Sequence, residues 1–452
     1  MQVHFIAIGG SAMHNLAIAM SRQGIQITGS DDEIREPSKS RLEKEGILPK
    51  NWGWFPEKIH AKLDAVVLGM HARADNPELL KARELNIKIY SYPEYIYEQS
   101  KNKLRVVIGG SHGKTSITSM ILHVLKNQGI NCDYMVGAQL EGFDTMVKLT
   151  AEAQIIILEG DEYLSSPIDR RPKFHLYQAD IGLISGIAWD HINVFPTFEN
   201  YVEQFKIFAE KIPQNGTLIY CGEDEEVVNV ATSTGVHCTK EAYQMPPIHI
   251  MHGKNMVTFH NQDFPLHIFG EHNMLNMEGA GKVCMKLGVS RENFLQAMTS
   301  FKGASGRLEL VDEKASVSIY RDFAHSPSKL KATTAAVKKQ FPERELVACM
   351  ELHTFSSLNE NFLNEYQHSM QQADTAMVYY NPQTIAHKKL NPISEEQVLK
   401  AFGGNIKVYT DSAKLASDLQ NMQWDHKNLL LMSSGNFDGI DAKKLAEKIL
   451  NL

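Results

Sequence analysis

The chain has 452 residues, which at roughly 150 residues per domain predicts about three domains. Lys and Arg total 46 against 53 Asp and Glu, a net charge of −7 that argues against a general nucleic-acid binder, since such proteins carry a basic face. Hydrophobic residues make up 43% and charged residues 22%, enough to bury real cores and too apolar for a disordered chain.

The first block runs over residues 1–103. Val3–Ile8 is a short apolar run that ends at Gly9-Gly10, and Ala12, Met13, Leu16, Ala17 and Met20 then recur at helical spacing. Ile25–Thr28 reads as a second strand closed by Gly29-Ser30-Asp31, with Ala65–Leu68 and Ile87–Tyr90 as further strands. Strands alternating with helices imply a parallel sheet with crossover helices. The amino terminus lacks the cationic start of a secretory signal. No apolar run approaches the roughly 18–20 residues needed to span a bilayer.

The second block covers 104–307. It opens with the buried-strand run Leu104–Ile108, then GGSHGKTS and a helix through Lys126. Ile155–Leu158 and Ile181–Ile187 are two more apolar runs ending at polar clusters, and residues 245–269 alternate as an antiparallel segment does. The third block, 308–452, repeats the strand–helix rhythm with Val317–Tyr320, Leu346–Met350, Ala376–Tyr380, Ile406–Tyr409 and Leu429–Met432. Cys132, Cys221, Cys238, Cys284 and Cys349 are scattered, without a CxxC pair. They read as reduced, buried thiols of a cytoplasmic protein.

The sharpest local signal is Gly109-Gly110-Ser111-His112-Gly113-Lys114-Thr115, between a predicted strand and a predicted helix, with Ser116 next to it in the nucleotide-binding set. Glycines let backbone N–H groups turn inward on phosphate oxygens, helped by the helix N-terminus. Lys114 then reaches the terminal phosphates as a point charge, and Thr115 offers its hydroxyl to Mg²⁺. Position 108 is Ile rather than Gly, so the loop is one residue shorter than the common NTPase form. Ile155–Leu158 leads into Glu159-Gly160-Asp161-Glu162-Tyr163, and a later run ends at Trp189-Asp190-His191. Carboxylates at the carboxyl end of a strand sit where open α/β sheets bind ligands. Glu159 and His191 are thus candidates to hold a second Mg²⁺ between nucleotide and substrate, although histidine is a less usual ligand for this metal.

These motifs together resemble the Mur ligase family, ATP-dependent amide-forming enzymes of peptidoglycan synthesis. Gly110–Thr115 match the family loop G-[TS]-[NHK]-G-K-[TS]; Glu159, Asp161 and Glu162 match its E-x-D-E element; Asp190-His191 match its D-H pair. Gly270–Asn276 is similar to the G-x-H-N-x-x-N element, which implies adenine contacts for His272 and Asn276. Gly303–Arg307 resembles the hinge whose arginine reaches the γ-phosphate, and Asp322–Pro327 the D-[YF]-[AG]-H-x-P element, with Asp322 on ribose and His325 near the reacting groups. The implied fold is α/β in three domains: a Rossmann-like N-terminal domain, a P-loop central domain and a Rossmann-like C-terminal domain. The implied cofactors are ATP and Mg²⁺, with Thr115, Glu159 and His191 as metal ligands. Lys114, His191, Arg307 and His325 form the catalytic set.

The amino-terminal Gly9-Gly10-Ser11-Ala12-Met13, followed by Ser30-Asp31, resembles the uridine-nucleotide site of the family's UDP-N-acetylmuramate users. It implies that Gly10, Ser11, Ala12, Met13, Ser30 and Asp31 bind that substrate. Glycines let a diphosphate approach a helix N-terminus, and an acid about 20 residues on suits a ribose or base. His71 reads either as a pyrophosphate donor or as an ordinary surface histidine. Glu162 and Arg171 complete the substrate-binding set.

Two subgroups use this acceptor, one adding L-alanine and one reattaching a murein tripeptide, L-Ala-γ-D-Glu-meso-diaminopimelate. Asp169–Phe174 and Ser433–Gly439 resemble the second. The alanine-adding subgroup carries two arginines in P-H-R-Y-S-R, whereas Leu352–Ser357 has none. That stretch also departs from the P-R-S-N-T of the tripeptide subgroup, which leaves the peptide-binding residues open. Lys206 reads as an exposed helix lysine rather than a carbamylated metal ligand, with Phe205 in the aromatic position. The reading expects UDP-N-acetylmuramate and murein tripeptide as partners, no nucleic acid, no membrane, and a monomer or weak homo-oligomer. An alanine ligase, and a P-loop NTPase or nucleotide-sensing module without ligation, stand as alternatives.

Overall fold

The computed structural model describes residues 1–138, 140, 143–190, 194–251, 254–304 and 306–451. They gather into two compact units. The first comprises Met1–Trp189, Val194–Gln244 and Glu278–Phe294; the second is built chiefly from Met245–Met277 and Leu295–Leu452.

The first unit holds two sheets. A four-stranded parallel sheet runs in the order Gln26–Ser30, Gln2–Ile6, Ala65–Leu68, Ile89–Ser91. The first strand stops two residues short of the apolar run, because Ala7 takes φ +65 and turns the chain toward the helix Ser11–Ser21. Ala7 and Ile8 stay buried as a turn rather than as strand.

The second sheet has seven strands, ordered Thr239–Tyr243, Thr217–Cys221, Ile181–Ile184, Leu104–Gly109, Ile155–Glu159, Asp133–Met135, Val147–Lys148. Only the last pairing is antiparallel. Leu104–Gly109 thus lies between two strands that follow it in sequence. Chain reversal around such a strand opens a crevice at its carboxyl end, the usual ligand position in open α/β sheets. The helix Lys114–Asn127 packs on it through Ile117, Met120, Ile121, Val124 and Leu125, a spacing that puts all five on one face.

The second unit holds an antiparallel sheet of Ile248–Met251, Lys254–Phe259 and Gln262–Leu266, as the alternation at 245–269 predicts. Its larger sheet runs Glu309–Lys314, Val317–Asp322, Lys427–Met432, Glu345–Leu352, Thr375–Tyr380, Lys407–Tyr409, antiparallel in the first pair and parallel thereafter. All five cysteines are buried and none is disulfide-bonded. Among the described residues no helix is long and apolar enough to cross a membrane.

Candidate active site

The strand Leu104–Gly109 ends in a loop closed by two glycines of left-handed backbone, Gly110 at φ +135 and Gly113 at φ +81. Side-chain-bearing residues adopt such angles at a cost, so the tight return into the helix calls for glycine at both positions. The loop is strapped to the neighbouring strand end. Ser111 N–H donates to Gly186 O at 2.9 Å, Ser185 N–H donates to Gly109 O at 3.1 Å, and the Ser185 hydroxyl donates to His112 O. Thr115 and Ser116 are buried in the first helical turn.

Lys114 extends from the helix start back over the loop. Its ammonium donates to Gly110 O at 2.6 Å and to Glu162 Oε2 at 2.8 Å. Burial alone would lower its pKa, but the Glu162, Asp161 and Glu159 carboxylates outweigh it and raise the value, so Lys114 stays a cation. Parallel register sets Ile108 opposite Glu159, which delivers that carboxylate to the loop. The Thr115 hydroxyl donates to Glu159 Oε1 at 2.9 Å, and Gly137 N–H donates to Oε2 at 2.8 Å. A hydroxyl and a carboxylate side by side next to a phosphate-type loop are the hard oxygen donors that Mg²⁺ takes. His191 lies outside the described residues. Among the described residues no three His, Cys, Asp or Glu side chains converge as a metal-binding group. Among the described residues, Thr115 and Glu159 are the oxygens bonded to each other at the loop.

Glu162 is sealed from solvent and bonded on both oxygens, to Lys114 and to the hydroxyl of Tyr201 at 3.0 Å. Sequence reasoning misses Tyr201. It lies on the helix Phe198–Glu210, capped by the Thr197 hydroxyl, whose inner face also carries the buried Phe205 and Phe208. Lys206, on the same helix, points outward, as expected.

The N-terminal mouth forms where the strands Gln2–Ile6 and Gln26–Ser30 end. Asp31 Oδ2 accepts the Gly9 N–H at 2.7 Å. Burial pushes this carboxyl up to about 6, against the pull of that hydrogen bond. A Cβ on Gly10 would lie 3.7 Å from the His71 ring, so His71 flanks the turn into the helix that carries Ser11, Ala12 and Met13. Lys58, another residue the sequence does not single out, donates to Gly29 O and to the Ser30 hydroxyl, both at 3.1 Å. Arg171 is held by Asp169 at 2.6 Å and reaches Glu94 at 3.3 Å.

In the second unit, burial holds His272 down to about 4, hence neutral, and Asn276 is buried one turn further along the same helix. Asp322 ends the strand Val317–Asp322, and each of its oxygens accepts a backbone N–H, Leu308 at 2.5 Å and Ala324 at 2.6 Å. Burial raises its pKa, partly offset by Arg307 and these two donors. The Arg307 guanidinium lies 4.4 Å over the Phe323 ring. His325 bonds Phe323 O through Nδ1 at 2.8 Å, and burial, reinforced by Lys329, holds it down to about 3. Arg307, Asp322 and His325 are therefore neighbours, as their motifs lead one to expect.

The stretches Leu352–Ser357 and Ser433–Gly439 follow adjacent parallel strands, with Met350 opposite Met432. Buried Glu351 joins them by accepting from the Ser433 hydroxyl and, at 2.8 Å, from Phe437 N–H, with His353 Nδ1 3.4 Å away. Burial would raise the Glu351 pKa, but bonds from His353, Ser433 and Phe437 outweigh it and hold the carboxyl below its ordinary value.

Comparison with known proteins follows this layout. The Mur ligase family catalytic domain matches residues 2–103, the Mur ligase middle domain 108–284, and the Mur ligase glutamate ligase domain 306–435. UDP-N-acetylmuramate–L-alanine ligase of Caldicellulosiruptor bescii is 33% identical over 387 residues, covering 83% of this chain and 82% of that protein. The enzyme of the same name from Lactobacillus gasseri is 28% identical over 460 residues, covering 99% of each. Among solved structures, a murein peptide ligase from Psychrobacter arcticus superposes with a TM-score of 0.68 at 21% identity, covering 100% of this chain and 99% of that one. The UDP-N-acetylmuramate–alanine ligase from Thermotoga maritima gives 0.72 at 18% identity, covering 100% and 98%.

Proposed function

The chain belongs to the Mur ligase family of ATP-dependent amide-bond ligases, and from that premise we propose that it joins the lactyl carboxylate of UDP-N-acetylmuramate to the free amine of a murein tripeptide. Residues 1–103 take the UDP-sugar, 104–307 the ATP and 308–452 the incoming peptide. The observation that carries the choice of tripeptide is Glu351. A site for a small amino acid needs cations to hold the substrate carboxylate. Here the stretch from Leu352 to Ser357 has no arginine or lysine, and beside it sits a buried carboxylate held in its ionised form. Such a charge repels a second carboxylate brought close in low dielectric. A longer peptide keeps its carboxylates away from its reacting amine.

A free carboxylate is a poor acyl donor because oxide leaves badly. In the proposed sequence a carboxylate oxygen attacks the γ-phosphorus of ATP, ADP departs, and an acyl phosphate results. The amine then attacks the acyl carbon, phosphate leaves, and the amine gives up a proton. Phosphoryl transfer asks mainly for positioning and charge neutralisation. The loop N–H groups of 110–113 and the Lys114 ammonium meet the phosphates; Thr115 and Glu159 would hold Mg²⁺, whose chemistry there would be charge neutralisation. His191 is proposed as a further metal ligand, Arg307 as the cation for the transferred group, and His272, Asn276 and Asp322 as nucleoside contacts. His325, neutral in the fold, is proposed to take the amine's proton; a nearby anionic phosphate raises histidine basicity. Gly10, Ser11, Ala12, Met13, Ser30, Asp31, His71 and Arg171 are assigned to the UDP-sugar. Glu162, expected from the sequence in the substrate set, has its oxygens on Lys114 and Tyr201 and is proposed to act through Lys114.

The alanine ligase is the second reading, favoured by the names of the two sequence relatives above. Mass spectrometry of the product from UDP-N-acetylmuramate, ATP and an equimolar mixture of L-alanine and tripeptide decides between them. The tripeptide adduct is expected. An alanine adduct alone would establish the second reading, and ATP hydrolysis without any adduct would remove ligation altogether.

A further inference from the structure

Tyr201 lies at the junction of the phosphate loop and the counter-ion of Lys114, and its hydrogen bonds run in one direction. Glu162 is an acceptor on both oxygens, so the single Tyr201 proton goes to Oε1 at 3.0 Å. Tyr201 must then accept from the Ser111 hydroxyl at 2.9 Å, and Ser111 in turn accepts the Ala188 N–H at 2.8 Å. The chain Ala188, Ser111, Tyr201, Glu162 ends on Lys114, bonded to the other carboxylate oxygen at 2.8 Å. Tyr201, Glu162 and Ser111 are all buried, so these bonds form in a low-dielectric setting where each link polarises the next.

We propose that Tyr201 is a positioning residue for phosphoryl transfer: by occupying Glu162 Oε1 it limits the carboxylate to one oxygen on Lys114 and leaves the ammonium free to pass to the ATP phosphates. The proposal deepens the ATP-dependent reading above and rests on it. Without the phenol hydroxyl, both Glu162 oxygens turn to Lys114 and hold it back. The ring itself is anchored separately, tilted against Phe195 at 5.5 Å and edge-on to Phe205 at 5.2 Å. Removing the hydroxyl therefore leaves the packing in place.

The test is a double-mutant cycle of Tyr201→Phe against Glu162→Gln. Affinity for a non-hydrolysable ATP analogue is read by calorimetry, and kcat and KM for ATP and UDP-N-acetylmuramate by phosphate release. Tyr201→Phe is expected to cost about tenfold in kcat/KM for ATP while leaving the UDP-sugar KM unchanged; the melting temperature falls only by the loss of buried hydrogen bonds. In the Glu162→Gln background, which has no charge to capture Lys114, the same substitution is expected to cost less than about twofold. Equal losses in both backgrounds, or no loss in the first, overturn the proposal. Should Tyr201→Phe fold poorly, a ring-fluorinated tyrosine at position 201 keeps the ring and hydroxyl but strengthens the donor; it enters the same cycle and is expected to leave analogue affinity equal or higher, and an affinity loss of about tenfold would overturn the proposal. Analogue affinity keeps the outcome separate from the ligase reading, because it responds to Lys114 positioning even if no amide forms.

Discussion

Lys114 and Glu162 form an ion pair at 2.8 Å in which the carboxylate is almost wholly buried and the ammonium largely so. The cation proposed for phosphate thus already has a partner within the protein, and on that reading nucleotide competes for it. A buried charge left unpaired costs several kcal/mol, roughly 3–5 when one partner of a pair is removed. Glu162 keeps Lys114 charged and folded over the loop.

Replacing Lys114 with Ala tests this pairing. Turnover is expected to fall by about 10²–10³-fold or more, the scale seen when a preorganised charge-stabilising group is lost. UDP-N-acetylmuramate binding, measured by calorimetry, should persist, because the turn at Gly9–Met13 does not touch Lys114. Retained turnover would remove the loop from the chemistry.

Gly137, whose N–H donates to Glu159 Oε2, gives access to the proposed metal side of the same loop. A Cβ there would lie 2.6 Å from Glu159 Oε1, so Gly137→Ala must push the carboxylate aside. The Mg²⁺ concentration for half-maximal turnover is expected to rise about tenfold, as losing a supporting contact to a metal ligand does. Glu159→Gln should shift it in the same direction. An unchanged Mg²⁺ requirement in both variants would take Glu159 out of the metal site.

Much of this site was legible because its residues lie in short runs tied to one strand end. Gly110, Gly113, Lys114 and Thr115 are contiguous, and Glu159 follows its own apolar strand directly. Tyr201 and Lys58 were not legible for the opposite reason. Tyr201 meets Ser111 across 90 positions, and Lys58 meets Ser30 across 28 from a single 3₁₀ turn. Neither carries a local pattern of type or spacing. The strands missed by hydrophobic runs include sheet edges: Thr239–Tyr243 and Glu309–Lys314 are largely exposed and polar, as one-sided pairing permits. Leu104–Gly109, Ile155–Glu159 and Ile181–Ile184 were found to within a few residues, whereas the interior strands Asp133–Met135 and Thr217–Cys221 were missed because each is a short run broken by polar residues. Ile181–Ile187 was overrun at its end because Ile187 stays buried past the last strand residue, Ile184.

His175 predicts an acid-sensitive first unit. It is buried beside Phe174, its rings stacked 4.8 Å apart, and Nε2–H donates to Gln204 O at 2.7 Å. Burial pushes its pKa down to about 4 from 6.5. Between these two values the unfolded chain binds more protons than the fold, so stability falls as pH drops from 6.5 toward 4 and is insensitive to this group above 6.5. The loss at pH 5 is about 2 kcal/mol. His175→Gln keeps a donor for Gln204 O and cannot titrate. Urea unfolding from pH 7.5 to 5 should then show a shallower decline than the parent chain, even if the variant starts lower for want of the stacked ring. Parallel declines would mean that His175 is not the sensor.

Asp322 predicts a different kind of sensitivity, to the number of acceptors it offers. Its two oxygens close the hinge segment at Leu308 and the turn at Ala324 at once. Asparagine keeps one acceptor oxygen but sets an N–H₂ against the second backbone N–H, so a donor faces a donor. Asp322→Asn is therefore expected to destabilise nearly as much as Asp322→Ala, each by roughly 1–3 kcal/mol for a buried donor left unmet. Asp322→Glu should fail for a different reason, since the extra methylene moves both oxygens off their donors. Thermal unfolding of the three variants reads the ranking directly. An asparagine variant as stable as the parent would show that one bond suffices, and would return the second oxygen to the nucleoside contact proposed for it.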